Sequence, residues 1–118
     1  DAVVGLEYYS VLRDSKLTFN KHTDQTGSSV GNMRLFEATG VGTCLVTDTR
    51  RNMFDLFEPD YEILTYCSID EVIEKVDYIL TDDEKRRQIA LAGQKKVLES
   101  HTIFNRCQLI DEAIQARL

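Results

Sequence analysis

The run Thr43-Cys44-Leu45-Val46-Thr47, closed by Gly42 on one side and Asp48 on the other, constrains the fold more than any other stretch of this sequence. Its apolar centre lacks the polar alternation of a half-exposed strand, so it reads as a strand buried on both faces, the kind found in parallel sheets covered by helices. Leu17-Thr18-Phe19 and Ile63 to Tyr66 read as two further short strands. Helical patterns lie between and around them. Val4, Tyr8, Val11 and Leu12 form a stripe that ends near Ser15 or Lys16, and Met33 to Thr39 gives two turns behind a candidate N-cap, Asn32, with Gly40 and Gly42 as stops. Ser68 and Glu71 have capping-box spacing ahead of Ile69, Val72, Ile73, Val76, Ile79 and Leu80. Thr81 and Glu84 repeat that spacing before a helix to about Ser100, and a last helix runs from near Thr102 to Ala116 with Ile103, Cys107, Ile110 and Ile114 on one stripe.

Strands alternating with helices give an α/β class: a small parallel sheet flanked by helices, joined by right-handed crossovers. A length of 118 residues fits one domain spanning 1–118. Three short strands make a small sheet, and the chain starts on Asp1 and enters a helical pattern almost at once. It therefore reads as a piece of a longer protein, with further strands upstream.

Charge excludes some functions. The net charge is −6, and its excess sits between Asp55 and Arg86, where eleven acids face three bases, whereas Asp1 to Phe54 is balanced at six and six. No basic face for nucleic acid emerges, and the acidic stretch reads as a solvated rim. No apolar run approaches the ~20 residues that cross a bilayer. Cys44, Cys67 and Cys107 are odd in number and widely spaced, with only His22 and His101 beside them. Neither a zinc site nor a disulfide framework follows, and three free thiols fit a reducing cytoplasm.

Ligands of open parallel sheets bind beyond the C-terminal strand ends, where loops run into helix N-termini. Here that place is the loop from Asn20 to Gly31 and the helix after it. Gly31 and Ser29 would let a phosphate approach the backbone, and Arg34 could add a charge-assisted bond, although neither G-x-G-x-x-G nor a Walker lysine is present. Glu37 either accepts hydrogen bonds from the vicinal hydroxyls of a ribose or is a surface residue of a short helix. His22, just past the first strand, is an acid, a base, a hydrogen-bond donor or a loop histidine without a role. Asp48 faces the same crevice, yet a turn-forming Asp explains it as well. His101 stands between two helices, where it caps. No Ser/His/Asp triad can be assembled.

The run from Asn32 to Asp48, Asn-Met-Arg-Leu-Phe-Glu-Ala-Thr-Gly-Val-Gly-Thr-Cys-Leu-Val-Thr-Asp, resembles the N-x-R-x-F-E-A-x-x-x-G-x-x-L-x-T-D segment of group 1 glycosyltransferases, specifically the CgeB-like branch. Ser15 to His22 is similar to that family's strand ending in N-x-H. Phe57-Glu58-Pro59, Glu62, Tyr66-Cys67-Ser68, Asp70-Glu71, Asp83 to Arg86, Ala90 to Gly93, His101-Thr102 and Arg106 continue the likeness to the end of the chain.

The resemblance implies a GT-B enzyme, in which two Rossmann-like domains face a cleft. This chain would be the later part of the C-terminal, donor-binding domain, without its N-terminal partner domain. The donor would be a nucleotide-diphosphate sugar, with no cofactor or catalytic metal, and the acceptor is unspecified. The second Glu of the family's Glu-x7-Glu signature, which contacts the donor ribose, matches Glu37, and the first falls at Ser29. Gly31 and Asn32 match the backbone that approaches the diphosphate, with Arg34 beside it and His22 at the crevice. The fragment alone would be inactive, because the acceptor-activating base comes from the absent domain. The competing expectation is a noncatalytic α/β interaction module that offers the acidic stretch Asp55 to Arg86 to a protein partner.

Overall fold

The computed structural model describes residues 2–23 and 27–118. Three parallel strands, β1 (Leu17–Asn20), β2 (Cys44–Asp48) and β3 (Leu64–Tyr66), lie side by side in chain order. Five helices flank them: α1 (Gly5–Asp14), α2 (Arg34–Gly40), α3 (Ile69–Thr81), α4 (Asp83–Ser100) and α5 (Ile103–Gln115), with a 3₁₀ turn at Met53–Asp55. The α/β class, with a small parallel sheet flanked by helices, is the observed one.

Strand β2 is buried because both of its faces are used. Leu45 packs with Leu35, Ala38, Met53, Phe57, Ile63 and Val97, whereas Cys44 and Val46 pack with Leu64, Tyr66, Ile79 and Ile89 on the other side. Burial raises the Cys44 thiol to about 11, so it behaves as a small apolar side chain. Each full burial of a large aliphatic side chain is worth ~1.5–3 kcal/mol, so these two clusters supply the main drive for folding.

The helix ends follow local chemistry. After α2, Gly42 takes φ +82°, and the N–H groups of Gly42 and Thr43 bond back to Thr39 and Ala38, the Schellman closure that favours glycine. Ser68 Oγ accepts the Glu71 N–H at 3.2 Å, while the Glu71 carboxylate reaches one residue further back than expected, to the Cys67 N–H at 2.7 Å. The N-cap of α4 is Asp82 rather than Thr81: Asp82 accepts from the Lys85 N–H at 2.9 Å, because α3 continues through Thr81, whose hydroxyl donates to the Tyr78 carbonyl. Thr102 and Asn105 make a reciprocal capping box on α5.

Two expected stripes form helices without a buried seam. Only Leu12 of α1 is buried, Val4 being 76% exposed, and no residue of α5 is buried. Helix α4 instead crosses the fold tightly: a Cβ added at Gly93 would meet the Glu62 carbonyl, so the backbones touch there. No helix among the described residues is long and apolar enough to cross a membrane.

Candidate functional site

Strands β1 and β2 end in polar residues that bind one another rather than water. Asn20, the last residue of β1, is buried; its amide donates to Thr47 Oγ1 at 3.0 Å, and its carbonyl oxygen accepts the Asn32 amide at 3.0 Å. Asn32 is therefore not the N-cap of α2. Its side chain staples the incoming loop to the strand end, Met33 holds the cap position, and no side chain caps α2. The hydroxyl of Tyr66, at the end of β3, donates to the Asn20 backbone carbonyl at 3.1 Å, with its ring stacked on Phe19 at 5.5 Å.

Asp48 is the hub of the next layer. Its Oδ1 accepts the His22 backbone N–H at 2.8 Å and lies 2.7 Å from the ring Nδ1, while its Oδ2 accepts Arg50 Nε at 2.7 Å. Burial pushes the Asp48 carboxyl up, but the bonds from the His22 ring and N–H and from Arg50 outweigh it and hold the group below its usual value. Arg50 also donates to the carbonyls of Gly27 and His22, and the Arg51 N–H reaches the Ser28 carbonyl at 2.9 Å. The described part of the loop is thus tied to the exit of β2. A hollow of about 410 Å³ opens beyond β2 and β3, lined by Lys21, Asp48, Arg50, Tyr66, Cys67 and Ser68.

The His22 side chain has no exposed surface. Because a carboxylate can only accept, the ring proton sits on Nδ1, and in the neutral imidazole Nε2 carries a lone pair. That Nε2 is the only buried side-chain nitrogen or oxygen among the described residues without a partner. Leaving such an atom unsatisfied costs about 1–3 kcal/mol.

Glu37 sits elsewhere, one turn into α2 on the flank toward α1. Its Oε2 accepts the Tyr8 hydroxyl at 3.0 Å and its Oε1 the Tyr9 hydroxyl at 3.4 Å. It lines a groove of about 420 Å³ with Tyr9, Phe36, Val41, His101 and Arg106. Arg106 lies over the Phe36 ring at 5.5 Å and reaches His101 Nδ1 at 3.1 Å, and His101 Nε2 donates to the Leu56 carbonyl at 2.8 Å. The backbone N–H of His101 closes α4 on Val97.

Of the residues singled out from the sequence, Asn32 and His22 are joined through one network, by way of Asn20, Thr47 and Asp48. Ser29, Gly31 and Arg34 are exposed beside it, and Glu37 faces the separate groove. Asn20, Thr47 and Tyr66, which occur in the motif runs without a site role, and Arg50, which no pattern marked, are network members that sequence reasoning did not assign to the site. The available signal was positional: each lies at a strand end or within two residues of one. Among the described residues no three of His, Cys, Asp and Glu converge as a metal site would require.

Comparison with known proteins gives one family: a model described as glycosyl transferase-like matches residues 1–112. No curated protein and no solved structure matches the chain.

Proposed function

The chain belongs to the glycosyl transferase-like family, and from that premise we propose that it provides the nucleotide-sugar donor site of a two-domain GT-B glycosyltransferase of the CgeB-like branch. The observation that carries the reading is the polar network at the ends of β1 and β2, beside a helix whose mouth no side chain occupies as a cap. Buried polar groups cost stability unless they are paired, and Asn20, His22 and Thr47, buried at one end of the sheet, hold the half-exposed Asn32, Asp48 and Arg50 in place there.

In transfer, the anomeric C–O bond breaks and its electron pair leaves with the nucleoside diphosphate. A site without a metal stabilises that charge with backbone N–H groups and cations fixed in advance. The N–H groups around Gly31 and the first turn of α2, with Arg34 and Arg50, supply both. The ribose role that the resemblance gives to Glu37 lies in the separate groove on the α1 flank, where Tyr8 and Tyr9 hold its carboxylate and Met33, at the head of α2, shares the lining, so a donor that meets it reaches from the α2 mouth into that groove. Acceptor activation belongs to the other domain, so the 118 residues alone bind a donor without turning it over.

The interaction-module reading has less support. Four of the eleven acids it would offer are already engaged within the fold: Asp60 and Glu71 hold Lys75, Asp83 holds Arg86, and Asp82 caps α4. Calorimetric titration with a panel of nucleoside diphosphates tests the donor site. One member binds, and Glu37→Ala weakens it about tenfold through lost diol bonds. No binding by any member removes the donor-site reading, and unchanged affinity in the variant removes Glu37 from it.

A further inference from the structure

Strands β1 and β2 start together, with Leu17 opposite Cys44, at the end of the sheet away from Asn20 and Asp48. A hollow of about 440 Å³ opens there, between the last turn of α1, the strand starts and the first turns of α4. Four cations line it, Arg13, Lys16, Arg86 and Arg87, against two carboxylates, Asp14 and Asp83. In a chain of net charge −6 this place holds a surplus of two positive charges. Like charges gathered in this way repel one another, and an anion seated among them removes that cost.

Arg86 is the fixed part of the hollow. Its side chain is 8% exposed, and Nη1 donates to the Ile79 carbonyl at 3.2 Å and lies 2.6 Å from Asp83 Oδ1. Nε and Nη2 make no hydrogen bond to the described residues. Both keep contact with solvent, because His22 Nε2 is the only fully buried side-chain nitrogen or oxygen without a partner among the described residues. The open space that Arg86 lines is this hollow. Nε and Nη2 form the edge of the guanidinium that presents two parallel N–H bonds, the geometry that grips two oxygens of one anion. Lys16 and Arg87 are exposed and make no ion pair among the described residues, yet the fields of both reach Asp83. The Thr43 hydroxyl donates to the Leu12 carbonyl at 2.5 Å, which fastens the end of α1 beside the start of β2 and sets Lys16 at the rim.

We propose that this hollow binds a phosphate dianion, free or as a monoester, with Arg86 Nε and Nη2 donating to two of its oxygens and Lys16 and Arg87 closing on the third. Two charges answer the surplus of two, which a carboxylate or a phosphodiester, with one each, does not. The volume falls in the range of small-molecule pockets and exceeds what a bare phosphate fills, so an ester is expected to bind more tightly than the free ion. Once bound, the anion joins Lys16 to α4 and adds a tie to α1, of which only Leu12 is buried. The site is independent of the donor-site reading: it lies at the opposite end of the sheet and shares no residue with the network around Asp48.

The test titrates the whole 118-residue chain, labelled with ¹⁵N, at constant ionic strength and about pH 7.5, where a phosphate monoester is mainly a dianion. The probes are inorganic phosphate, glycerol phosphate and dimethyl phosphate. The first two move the Arg86 Nε–H signal and the backbone N–H signals of Lys16 and Arg87, and dimethyl phosphate, a monoanion, binds about tenfold more weakly. Replacing the two exposed cations together, Lys16→Ala with Arg87→Ala, weakens the dianions about tenfold or more while leaving the fold intact. Tighter binding of glycerol phosphate assigns an ester as occupant, and equal or weaker binding assigns the free ion. An Arg86 Nε–H signal that neither dianion moves, a double variant that binds as the parent does, or dimethyl phosphate binding as tightly as the dianions would each overturn the proposal. The N–H signals of Gly31, Arg34 and Leu35 report separately on the donor end, so failure here leaves that reading untouched.

Discussion

Asp48 Oδ1 receives two hydrogen bonds from one residue, the backbone N–H of His22 at 2.8 Å and its ring Nδ1 at 2.7 Å. That double attachment, with Arg50 on the second oxygen, ties the exit of β1 to the exit of β2 and makes this carboxylate a folding element as well as a site residue.

The attachment predicts an acid-sensitive contribution. The folded Asp48 carboxyl lies below its ordinary value of 3.8 despite the opposing effect of burial. The unfolded chain therefore binds that proton more readily, so the stabilisation is complete above the ordinary value and is lost as pH falls through the folded one. Asp48→Asn is expected to lose about 1.5–3 kcal/mol near neutrality, the value of hydrogen bonds to a charged group, and to flatten the stability profile below about pH 4. Urea denaturation at a series of pH values reads both effects; parallel profiles for the two proteins would count against the assignment.

The two histidines should hold opposite tautomers when neutral. Asp48 demands the proton on His22 Nδ1, and the Leu56 carbonyl demands it on His101 Nε2. Long-range ¹H–¹⁵N spectra of the unliganded chain distinguish the two patterns without any mutation. Finding the same tautomer on both rings would contradict one of these bonds.

Gly93 is a packing requirement rather than a flexible joint. A methyl group there runs into the Glu62 carbonyl, which is backbone and cannot rotate away. Gly93→Ala is expected to cost about 1–3 kcal/mol even though alanine is the better helix former. A denaturant midpoint equal to or above that of the parent would show that α4 can shift without penalty.

The fold was legible where one local pattern decided it. Strand β2 announced itself because both faces are apolar, and α3 because Ser68 and Glu71 bracket a helical stripe. The site was less legible because its decisive bonds join residues far apart in the chain. Asn32 has the composition of an N-cap, yet its amide is claimed by Asn20, and Asp48 reads as a turn residue until His22 is folded against it. From the residues alone Glu37 reads equally as a ribose contact or as a surface residue of a short helix, and nothing local foretells that Tyr8 and Tyr9 hold it. The helical stripe of α5 predicted the helix, but a stripe alone does not say what covers it.

His101 gives a second pH signature, at a higher range than Asp48. Burial pushes its pKa below the ordinary 6.5; the bond to Leu56 opposes this, and the nearby charge of Arg106 adds to the depression. With the folded value depressed, the unfolded chain takes up the proton first as pH falls. The favourable neutral state therefore contributes fully above about 6.5, and stability drains from there down through the folded value. The ring also packs against Phe36 and Phe57 at 5.4 Å, so a substitution must keep a flat side chain. His101→Phe keeps the packing, loses the Leu56 bond at a cost of about 1 kcal/mol and removes the titration. Its stability should change less than the parent's between pH 7 and 5. An equally steep fall in the variant would assign that limb to other groups.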